Sequence, residues 1–520
     1  MIINIRKQYF YFFFLCFSVF SFSQDAKELL CKVIDSGDKL PIAYATIQFQ
    51  KSSSGVISNV DGDFRIPYSY KTNKDSIIIS CIGYQTKTIP LITLEDQTIN
   101  IIALNQKVEL LEQITIKGKK KEALGNLNPY SIVKTAIEKI PENYPNNPFS
   151  TISYYRDYQI VKNRYYNVNE AIIESFDKGF STDVIMDSYN QAAIFKYREN
   201  EEFLRDSSLV RAYDGNLKYI ENTELSGQGG NELGILNIHD PIRNYEQLSF
   251  SFVYVFKKVF IENHEFTNIK KVFLDDKVLY EIPFKAKDQF TGIAHKAIGK
   301  IYIAKDNYAI HKLEYKVLDV ANKEFLNDEE LLFEVTLEYK PKGDKMFLNY
   351  ITFNNRFVVS DNFFFDVVKT EYQAEEKAFY VSFNSPVLES SVSKKDFRFK
   401  YSKKKMVIKN FELVDAKTIK VNIADWSIPK ELLVDEPNMN NIETQIKNIY
   451  DISNRKIFKS PKIAGYQFRE LFVQEVINPK IKPTDIEFTS KAKPLSKAKI
   501  NKSNDKEDYW LNSPLKTVNN

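Results

Sequence analysis

Between residues 280 and 340, apolar and polar side chains alternate one by one. In "YEIPFKAK", Tyr280, Ile282, Phe284 and Ala286 fall on one side and Glu281, Lys285 and Lys287 on the other. "LFEVTLEYK" repeats the pattern with Phe333, Val335, Leu337 and Tyr339. A period of two marks a strand with one buried face. "KIYIAKDNYAIHKLEYKV" reads as two such strands turning at Lys305-Asp306-Asn307. Strands of this kind succeed one another from Ser150 to about residue 400 with little helix between them. That succession predicts a large curved antiparallel sheet or half-barrel. The 31 Tyr and 39 Phe, against 16 Gly, suit strands as well. The fold class expected is mainly β with a few helices.

A curved sheet leaves a concave face that something must cover. Tyr280, Ile282, Phe284, Phe333, Val335 and Leu337 are the candidates to line an apolar groove there, able to hold a lipid or a partner's apolar segment. A competitor for the same face stands upstream. Asn128 can cap a helix and Pro129 suits its first turn. Ile132, Val133, Ala136, Ile137 and Ile140 form one apolar stripe, and Pro141 ends it.

The chain start points to an address. Arg6 and Lys7 precede an apolar core of roughly 14 residues, too short for a spanning helix. Ser21-Phe22-Ser23 offers small residues before Gln24, so residues 1–23 read as a secretory signal peptide. No later stretch is apolar and long enough to cross a bilayer as a helix. The remaining chain exceeds a single core and implies two to four domains. A formal net charge of +4 gives no bulk attraction to nucleic acid. Cys31 and Cys81 remain after cleavage, and sequence leaves open whether they pair or stand as isolated core residues.

Residues 26–104 differ from the rest of the chain: their strands are short and separated by turn signals, the pattern of a small β-sandwich. "KVIDSGDKLPIAYATIQFQ", "GVISNVDGDFRI" and "ISCIGYQT" together resemble the carboxypeptidase-regulatory-like domain, a transthyretin-type (prealbumin-like) sandwich. Cys31 stands where that family has glycine, and Ser58-Asn59 replace its Thr-Asp. The resemblance implies a turn at Asp61-Gly62-Asp63, with Phe64 pointing inward. Residues 105–127 read as a linker with a solvated cluster at Lys117, Lys119, Lys120 and Lys121. Within it, Leu111 to Gly118 resembles the segment that succeeds this sandwich in TonB-dependent receptors of the Bacteroidetes type, but no plug is recognisable afterwards. "SIVKTAIEKIPENYPNNPFSTISYYRDY" resembles a segment of secreted Bacteroidetes proteins. Gly299-Lys300-Ile301-Tyr302-Ile303 with Tyr308-Ala309-Ile310 is similar to a piece of the periplasmic lipoprotein-carrier half-barrels, which extends the half-barrel reading over 128–400.

The family name invites a search for catalysis, and the residues do not supply it. A zinc carboxypeptidase needs His-x-x-Glu and a distant His around an open site. The four histidines are His239, His264, His295 and His311. His311-Lys312-Leu313-Glu314 has the spacing, but on a strand its ends point to opposite faces. The glycine-rich "LSGQGGNELG", residues 225–234, lacks the Lys-Ser/Thr of a phosphate loop and reads as a surface loop. No catalytic, metal or cofactor residue is therefore assigned. Residues 401–480 read as a β/α extension with a helix near Ile442, Ile446, Ile449 and Tyr450. There "GYQFRELFVQEV" suits a helix or a last strand. Residues 481–520 read as a mobile tail in which Trp510 docks back or meets a partner. The function expected is a non-catalytic binding or assembly component of the periplasm or outer membrane, with an envelope protein as partner. The alternative is a carrier that holds a lipid or acylated protein in the concave face.

Overall fold

The computed structural model describes residues 28–52, 54–107, 127–210, 231–247, 255–291, 295–320, 330–360, 365–434, 439–458 and 462–503, and in the tail 506, 509–511 and 513–515. The signal-peptide reading, the Leu111–Gly118 resemblance and the lysine cluster at 117–121 lie outside the described residues. So do residues 225–230 of the glycine-rich stretch.

The first body is a two-sheet sandwich. Its strands are β1 (Glu28–Asp35), β2 (Thr46–Phe49), β3 (Gly55–Ile57), β4 (Asp63–Pro67), β5 (Ser76–Ser80), β6 (Lys87–Pro90) and β7 (Asn100–Leu104). One sheet runs β4-β1-β7 and the other β3-β2-β5-β6. Alternation sets the core: Leu29, Cys31 and Val33 of β1 meet Ile77 and Ile79 of β5, while their neighbours face out. The Asp61-Gly62-Asp63 stretch is a turn with an identifiable mechanism. Asn59 Oδ1 accepts from the backbone N–H of Asp61 at 3.0 Å and of Asp63 at 2.8 Å. Gly62 adopts φ 73°, and a Cβ there would run into the Val33 carbonyl. Phe64 then turns into the core, as expected. Cys31 and Cys81 are both free thiols, and burial pushes each up to about 12.

The second body is the large sheet. It is built from β8 (Phe149–Val161), β9 (Arg164–Asp177), β10 (Gln191–Glu199), β11 (His264–Phe266), β12 (Lys270–Leu274), β13 (Lys277–Ala286), β14 (His295–Ala304), β15 (Ile310–Asp319), β16 (Glu330–Lys342) and β17 (Lys345–Ser360). The hairpin at Lys305-Asp306-Asn307 joins β14 to β15 as the sequence implies. The chain then leaves the sheet and forms a third body from β18 (Val367–Gln373), β19 (Ala378–Phe383), β20 (Phe397–Tyr401), β21 (Lys404–Met406), β22 (Ile408–Asp415), β23 (Thr418–Ile423) and β24 (Ile442–Ile446). These make two small sheets around their own apolar core. The helix expected near 442–450 is absent; β24 pairs Ile442 with Tyr401 and Ile446 with Phe397. A separation of four residues satisfies a strand's period as well as a helix's, so those isoleucines did not discriminate.

The chain returns as β25 (Lys462–Ile477), which enters the large sheet between β17 and β8. The final order is β10-β9-β8-β25-β17-β16-β15-β14-β13-β11, with β12 paired to β13, and the path does not close. The large sheet therefore extends past residue 400, and residues 365–458 are an insertion between two of its central strands.

Both outer strands are met by other parts of the chain. At β10, the N–H groups of Thr489 and Asn501 donate to the carbonyls of Ala192 and Ile194 at 2.7 and 2.8 Å. At β12, the Gly83 N–H of the sandwich donates to the Phe273 carbonyl at 2.7 Å. Sheet edges met in this way offer less free backbone to other chains. Residues 481–503, part of the tail expected to be mobile, are thus docked. Trp510 docks back too, with its ring 5.7 Å from Phe49 and 5.4 Å from Tyr70 of the sandwich.

Candidate functional site: the helix-covered face and its cavity

Residues directly opposite each other in an antiparallel pair share a face. Following register across the sheet, Ile282, Ile301, Leu313, Leu337, Ile351, Leu471, Tyr155 and Ala171 form one continuous apolar row. The adjacent row, on the opposite face, reads Glu281, Tyr302, Lys312, Glu338, Tyr350, Phe472, Tyr154 and Ile172.

Three helices cover the apolar row: α1 (Pro129–Glu138), α2 (Glu232–Ile238) and α3 (Phe256–Asn263). Asn128 caps α1 by accepting from the Tyr130 N–H at 3.0 Å, and Ile132, Val133, Ala136 and Ile137 are its buried stripe. Pro141 sits in the first turn of a further short helix, Ile140–Asn143, where a backbone N–H has no intrahelical acceptor to lose. Tyr280, Ile282, Phe284, Phe333, Val335 and Leu337 all lie on this face, and all six are buried in the same core as the helices. Phe284 has Phe260 of α3 at 5.1 Å and His264 at 5.3 Å. At these six positions the groove is filled.

Space is left at the other end of the face. A cavity of about 320 Å³ opens between β8, β9, β10, α2, the 180–190 loop and the strap Thr489 to Ala492. Phe149, Phe180, Leu233, Leu348 and Leu471 supply apolar wall, and Met186, 71% exposed, stands among its lining residues. None of the six groove candidates lines it. Its size is at the small end of ligand pockets.

The charged groups around it are largely committed. Arg243 donates from Nε to Asp177 Oδ2 at 2.7 Å and from Nη2 to Asp177 Oδ1 at 2.9 Å. Its remaining donors go to the Thr182 carbonyl at 2.7 Å and the Gly179 carbonyl at 3.0 Å. Burial alone would lower the Arg243 pKa; the Asp177 carboxylate outweighs it and raises it. Asp240 accepts from Tyr339 OH at 2.6 Å and from the N–H groups of Ile242 and Arg243. Burial raises its pKa despite those bonds. Lys491 Nζ, by contrast, donates to the carbonyls of Ile185 at 2.5 Å and Asp187 at 3.2 Å. Lys482 Nζ meets the Ser188 carbonyl at 3.1 Å and Gln191 Oε1 at 2.9 Å. Local sequence pattern gives no sign of this region: Arg243 sits in a turn, with no periodicity to betray burial, and the strap falls in the stretch expected to be a mobile tail.

Three of the four histidines, His239, His264 and His311, are buried in the core, and His295 is half-buried at the start of β14. His239 and His264 each point Nδ1 at a carbonyl one helical turn back, Ile235 at 2.7 Å and Phe260 at 2.9 Å. Burial lowers His239 to about 3 and His264 and His311 to about 4. His311 shares the buried side of β15 with Leu313, Tyr315 and Val317, whereas Glu314 lies on the opposite side with Lys312, 2.7 Å away. The His-x-x-Glu spacing therefore brings no ligand pair together. Of the glycine-rich stretch, Asn231 to Gly234 is not loop: Asn231 caps α2 through the Leu233 N–H at 2.8 Å.

Residues 31–116 match the CarboxypepD_reg-like domain, a regulatory-type rather than catalytic domain. That match covers the sandwich and the first residues of the segment after it. No curated protein matches the chain. Among solved structures, a LolA superfamily protein from Nitrosomonas europaea is similar over 44% of this chain and 86% of its own, at 11% identity and a TM-score of 0.18. A likeness of that degree carries no argument about function. No helix among the described residues is long and apolar enough to cross a membrane.

Proposed function

We propose that the chain is a non-catalytic binding protein of the cell envelope, acting in the periplasm or at the outer membrane as part of an assembly. The observation that carries this reading is the filled face of the large sheet. A carrier of bulky acylated cargo needs that face open, and α1, α2 and α3 occupy it with the chain's own core. The outer surface of a three-body scaffold is then what the assembly reading uses for recognition. The bodies are tied together: Tyr44 of the sandwich stacks on Tyr350 at 5.3 Å, and Asn349 Nδ2 donates to Thr46 Oγ1 at 2.8 Å. Arg455 of the insertion bonds Asp451 at 2.6 Å and reaches Ser208 Oγ at 2.5 Å and Asp206 at 3.3 Å. The leader-like residues 1–23 and the regulatory-type sandwich support the extracytoplasmic placement.

The cavity favours a second reading, a carrier of one small apolar ligand. One experiment separates the two: purification of the full chain from its native envelope, with mass spectrometry of protein and extracted lipid. A stoichiometric protein partner with no lipid is the outcome expected for the assembly reading. Lipid at about one equivalent, with no partner, would replace it with the carrier.

A further inference from the structure

The cavity beside α2 is assigned by nothing in the sequence, and its wall chemistry narrows what it could hold. The lining is mainly apolar, and its buried arginine is unavailable to a ligand. Arg243 spends its donors on Asp177, Thr182 and Gly179. Asp240 is bonded by Tyr339 and two backbone N–H groups. An anionic head group deep in the cavity would find no free donor among these. The strap is different. Lys491 lines the mouth at an exposed position, and Lys482 donates to Gln191, another lining residue. Neither ammonium is ion-paired among the described residues. Partial desolvation and the like charge of Lys482 hold Lys491 below the usual lysine range, against the pull of Asp183 and Asp187. Asp187 itself pairs with Lys178 at 3.4 Å. Two like charges near the mouth of an apolar cavity are complementary to one anion at the end of an alkyl chain.

We propose that this cavity binds one single-chain anionic amphiphile, with its alkyl chain among Phe149, Phe180, Leu233 and Leu471 and its head group at Lys491 and Lys482. The proposal rests on the carrier reading and names its ligand class. The strap Thr489 to Ala492 closes over the chain. It is held by the Thr489 N–H on Ala192 and by Asn231 Nδ2 on the Ser490 carbonyl at 3.0 Å. The shared chemistry, one chain and one negative charge, fits a free fatty acid or a lysophospholipid.

The test is calorimetric titration of the delipidated full chain with laurate, with lauroyl-lysophosphatidylglycerol and with dodecanol. Laurate is expected to bind at one equivalent. Leu233→Trp, which fills the cavity, should abolish binding. Ala492→Trp, on the strap, gives the same readout should the first variant not fold. Lys491→Gln should weaken laurate by about tenfold, the loss of one charge-assisted contact, and leave dodecanol unchanged. Tighter laurate than lysophosphatidylglycerol assigns a free fatty acid, and the reverse assigns a phospholipid head; either supports the site. No laurate binding, binding indifferent to both tryptophans, or an equal loss of dodecanol in Lys491→Gln would overturn it. Should lipid co-purify from the envelope equally with wild type and Leu233→Trp, the carrier reading stands and this site falls.

Discussion

The two faces of the large sheet are made by the same strands and solve opposite problems. One face presents a row of Ile, Leu and Tyr that α1, α2 and α3 cover with more apolar side chains. Its stability comes from area removed from water, at roughly 25 cal/mol per Å². The other face presents charged, tyrosyl and amide groups and is covered by the sandwich and the tail. Arg156 there is buried against Glu470, and Tyr158 OH donates to the same carboxylate at 3.3 Å. Glu170 accepts from Tyr154 OH at 2.8 Å and Asn200 Nδ2 at 2.9 Å, and Glu174 pairs with Lys506 of the tail at 3.1 Å. Burying a charge is costly unless it is paired and bonded, so this face depends on every partner being present. Covering a sheet twice thus makes one side tolerant of shape changes and the other intolerant of lost partners.

The sharpest way to break that contrast is on the charged face. Arg156→Met should cost about 3–5 kcal/mol in urea unfolding, because it strands Glu470 without its cation. Adding Glu470→Met should recover most of the loss, and a double variant as unstable as the single one would remove the distinction between the faces. On the apolar face, Ile137→Ala should cost about 3 kcal/mol through lost burial and a cavity. No second substitution of a neighbour is expected to restore it as the paired change does.

Acid tests the apolar face separately. His239, His264 and His311 titrate at about 3–4 when folded and near 6.5 when unfolded. Between those values the unfolded chain binds more protons, so stability rises with pH and falls on acidification. Each histidine should take about 1.5 kcal/mol from the stability between pH 6.5 and 5. His311→Leu should flatten the pH dependence of the urea midpoint by its share, and an unchanged slope would place His311 in water. The smallest effect expected is at the sandwich contact. A Tyr44 and Tyr350 double-mutant cycle should give a coupling of about 0.5–1.5 kcal/mol, and zero coupling would mean that the stack contributes nothing to docking.

The chain itself announced its strands because alternation is local. Tyr280, Ile282, Phe284, Phe333, Val335 and Leu337 declare their common face within a few residues of one another. The α1 stripe and the Asn59 to Phe64 turn are written just as locally. Ile442 and Ile446 mark where this fails, since two periods share the same spacing and only pairing with β20 chose between them. Polar residues such as Arg156, Glu170 and Glu470 carry no local sign of burial, yet all three are buried. Their partners come from strands and a tail far away in sequence. What the sequence determined alone was the β-rich class, the alternating strands around 280–340 with their apolar side, and the resemblance of the first sandwich. The tertiary structure decided what covers each face: which helices fill the expected groove, that β25 returns to the centre of the sheet, and that a cavity remains beside α2. Periodicity is set by neighbours along the chain, whereas coverage is set by contacts between segments hundreds of residues apart.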